Sequence, residues 1–79
     1  MDEITDQTFE RVGHLVGEYA ALCGRSQVEV TRALLASKTL RRHGYDPARN
    51  GILTETQGRA ALLVLDFWIR STREQHQQG

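Results

Sequence analysis

The chain has 79 residues, 39% hydrophobic and 25% charged, with ten basic side chains balanced by ten acidic ones for a net charge of zero. A chain of this size forms one domain that buries roughly 60–65% of its unfolded surface, and the composition is that of a globular rather than a disordered protein. The single cysteine, Cys23, excludes an internal disulfide and fits a reducing compartment.

The longest apolar run is interrupted by Asp66 and is too short to span a bilayer, and the start, Met1-Asp2-Glu3, is acidic where a signal peptide is basic. The expectation is a cytoplasmic protein without a membrane segment. The charge is unevenly placed. Asp2, Glu3, Asp6, Glu10 and Glu18 face only Arg11 in the first 18 residues. Arg25, Arg32, Lys38, Arg41, Arg42 and Arg49 outweigh Glu29 and Asp46 over 25–49. A basic middle segment can serve nucleic acid, or opposite halves can pair within the chain or across a dimer.

The first predicted helix covers about 6–23, with Thr5 or Asp6 as its cap. Phe9, Val12, Val16, Tyr19 and Cys23, flanked by Leu15 and Leu22, recur at helical spacing and predict one buried stripe, with Glu10, His14 and Glu18 on the solvated side. Gly13 and Gly17, followed by Ala20 and Ala21, form a strip of small residues that predicts close approach of another helix. Gly24 ends the helix, because glycine tolerates a left-handed cap.

The second predicted helix covers about 26–43. Ser26-Gln27-Val28-Glu29 is a capping box at its start, and Gly44 follows Arg41, Arg42 and His43 at its carbonyl end. Val30, Ala33, Leu34 and Ser37 are its expected core side. Turn-forming residues fill 44–51, where Asp46-Pro47 begins a short helical turn over 46–50 that Asn50-Gly51 closes.

The third predicted helix covers about 54–73, opened by a second capping box, Thr54-Glu55-Thr56-Gln57, and followed by a frayed tail over 74–79. From Ala60 to Ile69 only Asp66 is polar, with Arg59 and Arg70 completing a narrow polar stripe. A helix apolar nearly all round is wrapped by its own domain or shared with a partner. Leu62, Leu63, Phe67, Trp68 and Ile69 are therefore candidate interface residues for a homodimer or another protein. The fold expectation is all-α, a small bundle of three main helices in one domain spanning 1–79.

Over residues 19–34, Ala20, Gly24, Val30 and Ala33 fall at the spacing of the helix-turn-helix of small DNA-binding regulators, which this segment resembles. The resemblance implies that the second helix lies in the DNA major groove with its amino-terminal side chains at base edges. Carried over by position, Gln27, Val28, Thr31 and Arg32 are base-reading candidates, with Arg32 suited to guanine, Gln27 to adenine and Val28 to a thymine methyl. Lys38, Arg41 and Arg42 are phosphate candidates. Arg25 departs from the apolar residue usual after the glycine. Leu35, with Val28, is the discriminating position: exposed and rimmed by basic residues it favours DNA, buried it favours a protein-only role.

Little supports catalysis. His14, His43 and His76 are scattered without metal-ligand spacing, and Cys23 sits at a helix carboxyl end that disfavours a thiolate. No catalytic residue, metal site, cofactor or small-molecule substrate is expected. The expected function is a non-enzymatic binding module in a nucleic-acid transaction, either a DNA-binding regulator or an accessory factor. The alternative is a protein-binding adaptor or inhibitor that uses the apolar third helix.

Overall fold

The computed structural model describes residues 2–49 and 51–78, with side chains through His76. Four helices follow in order: α1 (Asp6–Cys23), α2 (Gln27–Leu35), α3 (Lys38–Arg42) and α4 (Glu55–Gln78). The architecture is all-α, as the sequence predicts. α1 lies along α4, α2 rests chiefly on α1, and α3 rests on α4. The molecule measures 45 × 23 × 19 Å, and the 24-residue α4, about 36 Å long at 1.5 Å per residue, runs most of the long dimension. Among the described residues no helix is long and apolar enough to cross a membrane.

The helix ends are set by local chemistry that the sequence displays. Thr5 caps α1 by accepting from the Thr8 amide at 3.2 Å. Gly24 closes it in the left-handed region, φ 65°. Ser26 accepts from the Glu29 amide at 3.1 Å while the Glu29 carboxylate accepts from the Ser26 amide at 3.3 Å, which completes the capping box of α2. Thr54 and Gln57 exchange the same pair of bonds, at 3.1 and 3.0 Å, at the start of α4. Gln57 is buried, and its amide nitrogen also donates to the His43 carbonyl at 3.0 Å, tying the end of α3 to α4.

The predicted second helix is divided. α2 stops at Leu35, Ser37 adopts an extended conformation, and its hydroxyl accepts from the Leu40 amide at 3.4 Å to cap α3. Serine competes for backbone amides in this way and suits helix starts better than interiors. Burial explains the break. In one straight helix, side chains six residues apart point about 120° apart, so Leu34 and Leu40 would face different directions. With the corner at Ala36–Ser37, both are buried, at 1% and 0% exposure.

Beyond α3 the chain turns through 47–49, where the Asp46 carboxylate accepts from the Ala48 amide at 2.9 Å. Asn50, expected to help close this turn, lies outside the described residues. Helical structure persists through Gln78 where a frayed tail over 74–79 was expected; Gly79 is outside the described residues.

Val16 and Ala20 of α1, Val30 and Leu34 of α2, Leu40, Tyr45, and Ala60, Ala61, Val64 and Leu65 of α4 form the core. The predicted α1 stripe holds at Val16, and Val12, Leu15 and Tyr19 pack at its edge. Phe9 does not join it: it is 66% exposed, at the rim of an open groove near the start of α1. Glu18, expected on the solvated side, pairs across to Arg73 of α4 at 3.4 Å. The Tyr19 and Trp68 rings pack with centroids 5.5 Å apart. The neighbouring Cys23 thiol, then partial burial, pushes the Tyr19 hydroxyl above its ordinary pKa.

The segment ahead of α1 is bound onto the start of α4. The Ile4 amide donates to the Leu53 carbonyl at 3.0 Å, and Glu3 and Thr54 form an isolated antiparallel bridge. The Glu55 carboxylate accepts from the Thr5 amide at 2.9 Å, from the Thr8 hydroxyl at 2.8 Å and from Arg59 at 3.1 Å. Those donors, the Thr5 amide first, hold the Glu55 pKa down at about 2.

Candidate functional site

Ala20, Val30 and Leu34 are buried where α1 and α2 meet, and Gly24 turns the chain between them. Ala33, expected in the core by position, is exposed. It lies about 100° round the helix from Leu34, and Val30 with Leu34, one turn apart, make the contact instead.

The predicted DNA-facing residues divide into three environments. Val28 and Arg32 point away from the Val30–Leu34 side and are exposed, Val28 at 61%. Gln27 and Thr31, both exposed, border a groove of about 340 Å³ between α1, α2, Tyr45 and residues 51–53, lined also by Phe9, Val12, Gly13 and Leu35. Lys38, on α3, borders a second hollow with Leu63, Phe67 and Trp68 of α4, while Arg41 and Arg42 are exposed at the end of α3.

The Gln27 side chain lies across α1. A Cβ placed on Gly17 would meet its Nε2 at 3.4 Å, an ordinary van der Waals contact, so the close approach of another helix expected of the small-residue strip is not what Gly17 provides. At Gly13 nothing lies within 4 Å of such a Cβ. The discriminating pair is split: Val28 is exposed, whereas Leu35 is half-buried against the core.

Electrostatics separates the basic residues into two classes. Arg49, Arg59, Arg70 and Arg73 are each held by a carboxylate: Asp46, Glu55, Asp66 and Glu18 respectively. Among the described residues, Arg11, Arg25, Arg32, Lys38, Arg41 and Arg42 are exposed and form no ion pair. Of these six cations, Arg32, Lys38, Arg41 and Arg42 lie on α2 and α3, Arg25 just precedes α2, and Arg11 lies on α1.

The candidate interface on α4 is also sorted by the fold. Ile69 is buried in the core and is not available to a partner. Leu62 and Trp68 are half-buried, the latter against Tyr19. Leu63 and Phe67 remain, 72% and 67% exposed. They lie one turn apart on the side of α4 away from Ala61, Leu65 and Thr72. Sequence reasoning missed Gly58, where a Cβ would meet Ile4 Cδ1 at 2.6 Å and Thr8 Cγ2 at 3.0 Å. Its only signal was a glycine inside a strongly helical pattern.

Among the described residues no three His, Cys, Asp or Glu side chains are grouped to hold a metal ion, and no buried side-chain nitrogen or oxygen lacks a hydrogen-bond partner. The side chains assembled at the surface are suited to binding, through unpaired cations on α2–α3 and an apolar pair on α4. No family model, curated protein or solved structure matches the chain.

Proposed function

We propose that this chain is a small non-enzymatic helical module acting in nucleic-acid transactions, as a DNA-binding regulator or as an accessory to a DNA-handling complex. Its α2–α3 segment is the nucleic-acid face. The observation that supports this reading is the set of four exposed cations without acidic partners on that segment, against a single such cation, Arg11, on α1 and none on α4. A cation already held by a carboxylate gains little from a phosphate, whereas an unpaired one replaces the counterions condensed on the duplex. Arg32 and Val28 are the base-reading residues. Lys38, Arg41 and Arg42 position the module on phosphates.

Fluorescence anisotropy with labelled duplexes at low and moderate salt tests the proposal. Arg32→Ala is expected to cost about 1–3 kcal/mol and to relax preference at one base position. Replacing both Arg41 and Arg42 with alanine is expected to weaken binding to every sequence and to lower the salt slope by about one for each phosphate left without its arginine. Absence of binding to any duplex or single strand at low salt, with the protein folded, refutes the reading and leaves the protein-binding adaptor.

A further inference from the structure

We propose that Glu29 is a specificity-determining residue of the α2 face, its carboxylate accepting from the amine of a cytosine next to the guanine that Arg32 addresses. The assignment rests on the nucleic-acid role proposed for α2–α3 and names the bases that role would select. Glu29 and Arg32 are the charged side chains of α2, and both are exposed. Around the helix Glu29 lies about 100° from Val30 and about 140° from Leu34, the buried pair, but only about 60° from Arg32. Along the axis Glu29 and Arg32 are about 4.5 Å apart, against about 3.4 Å between base pairs, a separation that reaches neighbouring pairs.

The capping box fixes where the carboxylate sits. Its Oε1 accepts from the Ser26 amide at 3.3 Å and from the Ser26 hydroxyl at 3.1 Å. Among the described residues nothing bonds Oε2, and no ion pair joins Glu29 to Arg25 or Arg32. One acceptor oxygen is thereby held unspent at the amino-terminal end of α2, the end that reaches base edges in a helix-turn-helix. A carboxylate repels phosphate, so on a face with Arg32, Lys38, Arg41 and Arg42 it lowers affinity for duplexes in general. What it contributes is discrimination. An ionised carboxylate only accepts. In the major groove guanine and thymine present acceptors, adenine sets its amine beside the N7 acceptor, and cytosine alone presents a donor with no acceptor.

Duplexes with a randomised segment, selected on the full chain and then measured by fluorescence anisotropy, are the test, with far-UV circular dichroism confirming that each variant is folded. The wild type should select a cytosine at a fixed position beside the guanine whose selection is lost in Arg32→Ala. Glu29→Gln keeps the capping box, since glutamine serves at that position too. It should retain the guanine and exchange the cytosine for adenine, the base an amide side chain reads, preferring the new duplex to the wild-type one about tenfold. Replacing the cytosine with N4-methylcytosine, whose methyl group takes the place of the major-groove hydrogen while pairing persists, should weaken wild-type binding about tenfold, a measurement that needs no variant to fold. Should Glu29→Gln select the wild-type sequence and merely bind every duplex more tightly, Glu29 is a cap alone; that overturns the proposal and leaves the DNA reading intact. Wild-type binding indifferent to the methylated base, or to sequence altogether, has the same consequence. A folded wild type that binds no duplex at low salt overturns the DNA reading and this proposal together.

Discussion

Gly13 and Gly58 both lie inside long helices, and the same change to alanine should move stability in opposite directions at the two. Helix propensity alone favours alanine over glycine by about 1 kcal/mol at either site. At Gly13 a Cβ meets nothing within 4 Å, so Gly13→Ala should realise most of that gain. At Gly58 the new methyl would approach Ile4 Cδ1 at 2.6 Å, Ile4 Cγ1 at 2.9 Å and Thr8 Cγ2 at 3.0 Å. Thr8 is the less free of the two neighbours. The Ile4 backbone is held by the hydrogen bond from its amide to the Leu53 carbonyl, and the buried Thr8 side chain by the bond from its hydroxyl to Glu55. Overpacking of this kind costs about 1–3 kcal/mol, so with the propensity gain subtracted Gly58→Ala should lose up to about 2 kcal/mol. For a domain of this size each kcal/mol corresponds to about 4–8 °C in Tm. Urea unfolding followed by circular dichroism measures both variants, and adding Ile4→Ala should relieve part of the Gly58→Ala penalty. If Gly58→Ala matches or exceeds the wild type in stability, the close approach of Ile4 and Thr8 to α4 is refuted.

Leu40→Ala should cost about 2–5 kcal/mol, because the side chain is wholly buried and the five-residue α3 has little else to anchor it; a loss below about 1 kcal/mol in denaturant unfolding, a bound set well under that range, would contradict the packing described for the corner at Ser37. Glu55→Gln should lower Tm at neutral pH, and the sign of its pH dependence follows from a pKa of about 2 in the folded chain against an ordinary value of 4.5. The ionised Glu55 contributes fully above the unfolded value and loses that contribution as pH falls toward about 2, so the gap between wild type and variant in thermal melts should narrow over this interval; a gap that widens there would be the wrong sign.

Much of the fold was legible because it rests on signals that act locally. Thr5, the two capping boxes and Gly24 each satisfy backbone groups within a few residues, and the structure uses all of them where the sequence displays them. The corner at Ala36–Ser37 was harder to read. Serine three residues before Leu40 is a cap signal, but it lay within a run of otherwise adequate helix formers. Only the need to bury both Leu34 and Leu40 decides between a continuous helix and a break, and that need is set by the position of α4. Gly58 is similar: its requirement comes from Ile4, more than fifty positions away in sequence, so no local pattern encodes it. On α4 the apolar run from Ala60 to Ile69 overstated the exposed surface. α1, α2 and α3 cover most of the helix and leave Leu63 and Phe67 outside.

The candidate DNA face was legible as a set of residue types but not as an arrangement. Position within the motif treats Gln27, Val28, Thr31 and Arg32 as equivalent, since all lie in the first two turns of α2. Packing does not. With Val30 and Leu34 fixed on the core side, the 3.6-residue repeat turns Arg32 and Val28 outward and brings Gln27 and Thr31 to the groove beside α1. The Gln27 side chain stays exposed there, its Nε2 at ordinary contact distance from the place of a Gly17 Cβ. Under the DNA reading, sequence preference should therefore depend more on Arg32 than on Gln27. Gln27→Ala should leave stability within about 0.5 kcal/mol, because the side chain is exposed and the α1–α2 contact is made by Ala20, Val30 and Leu34, and it should shift duplex preference less than Arg32→Ala does.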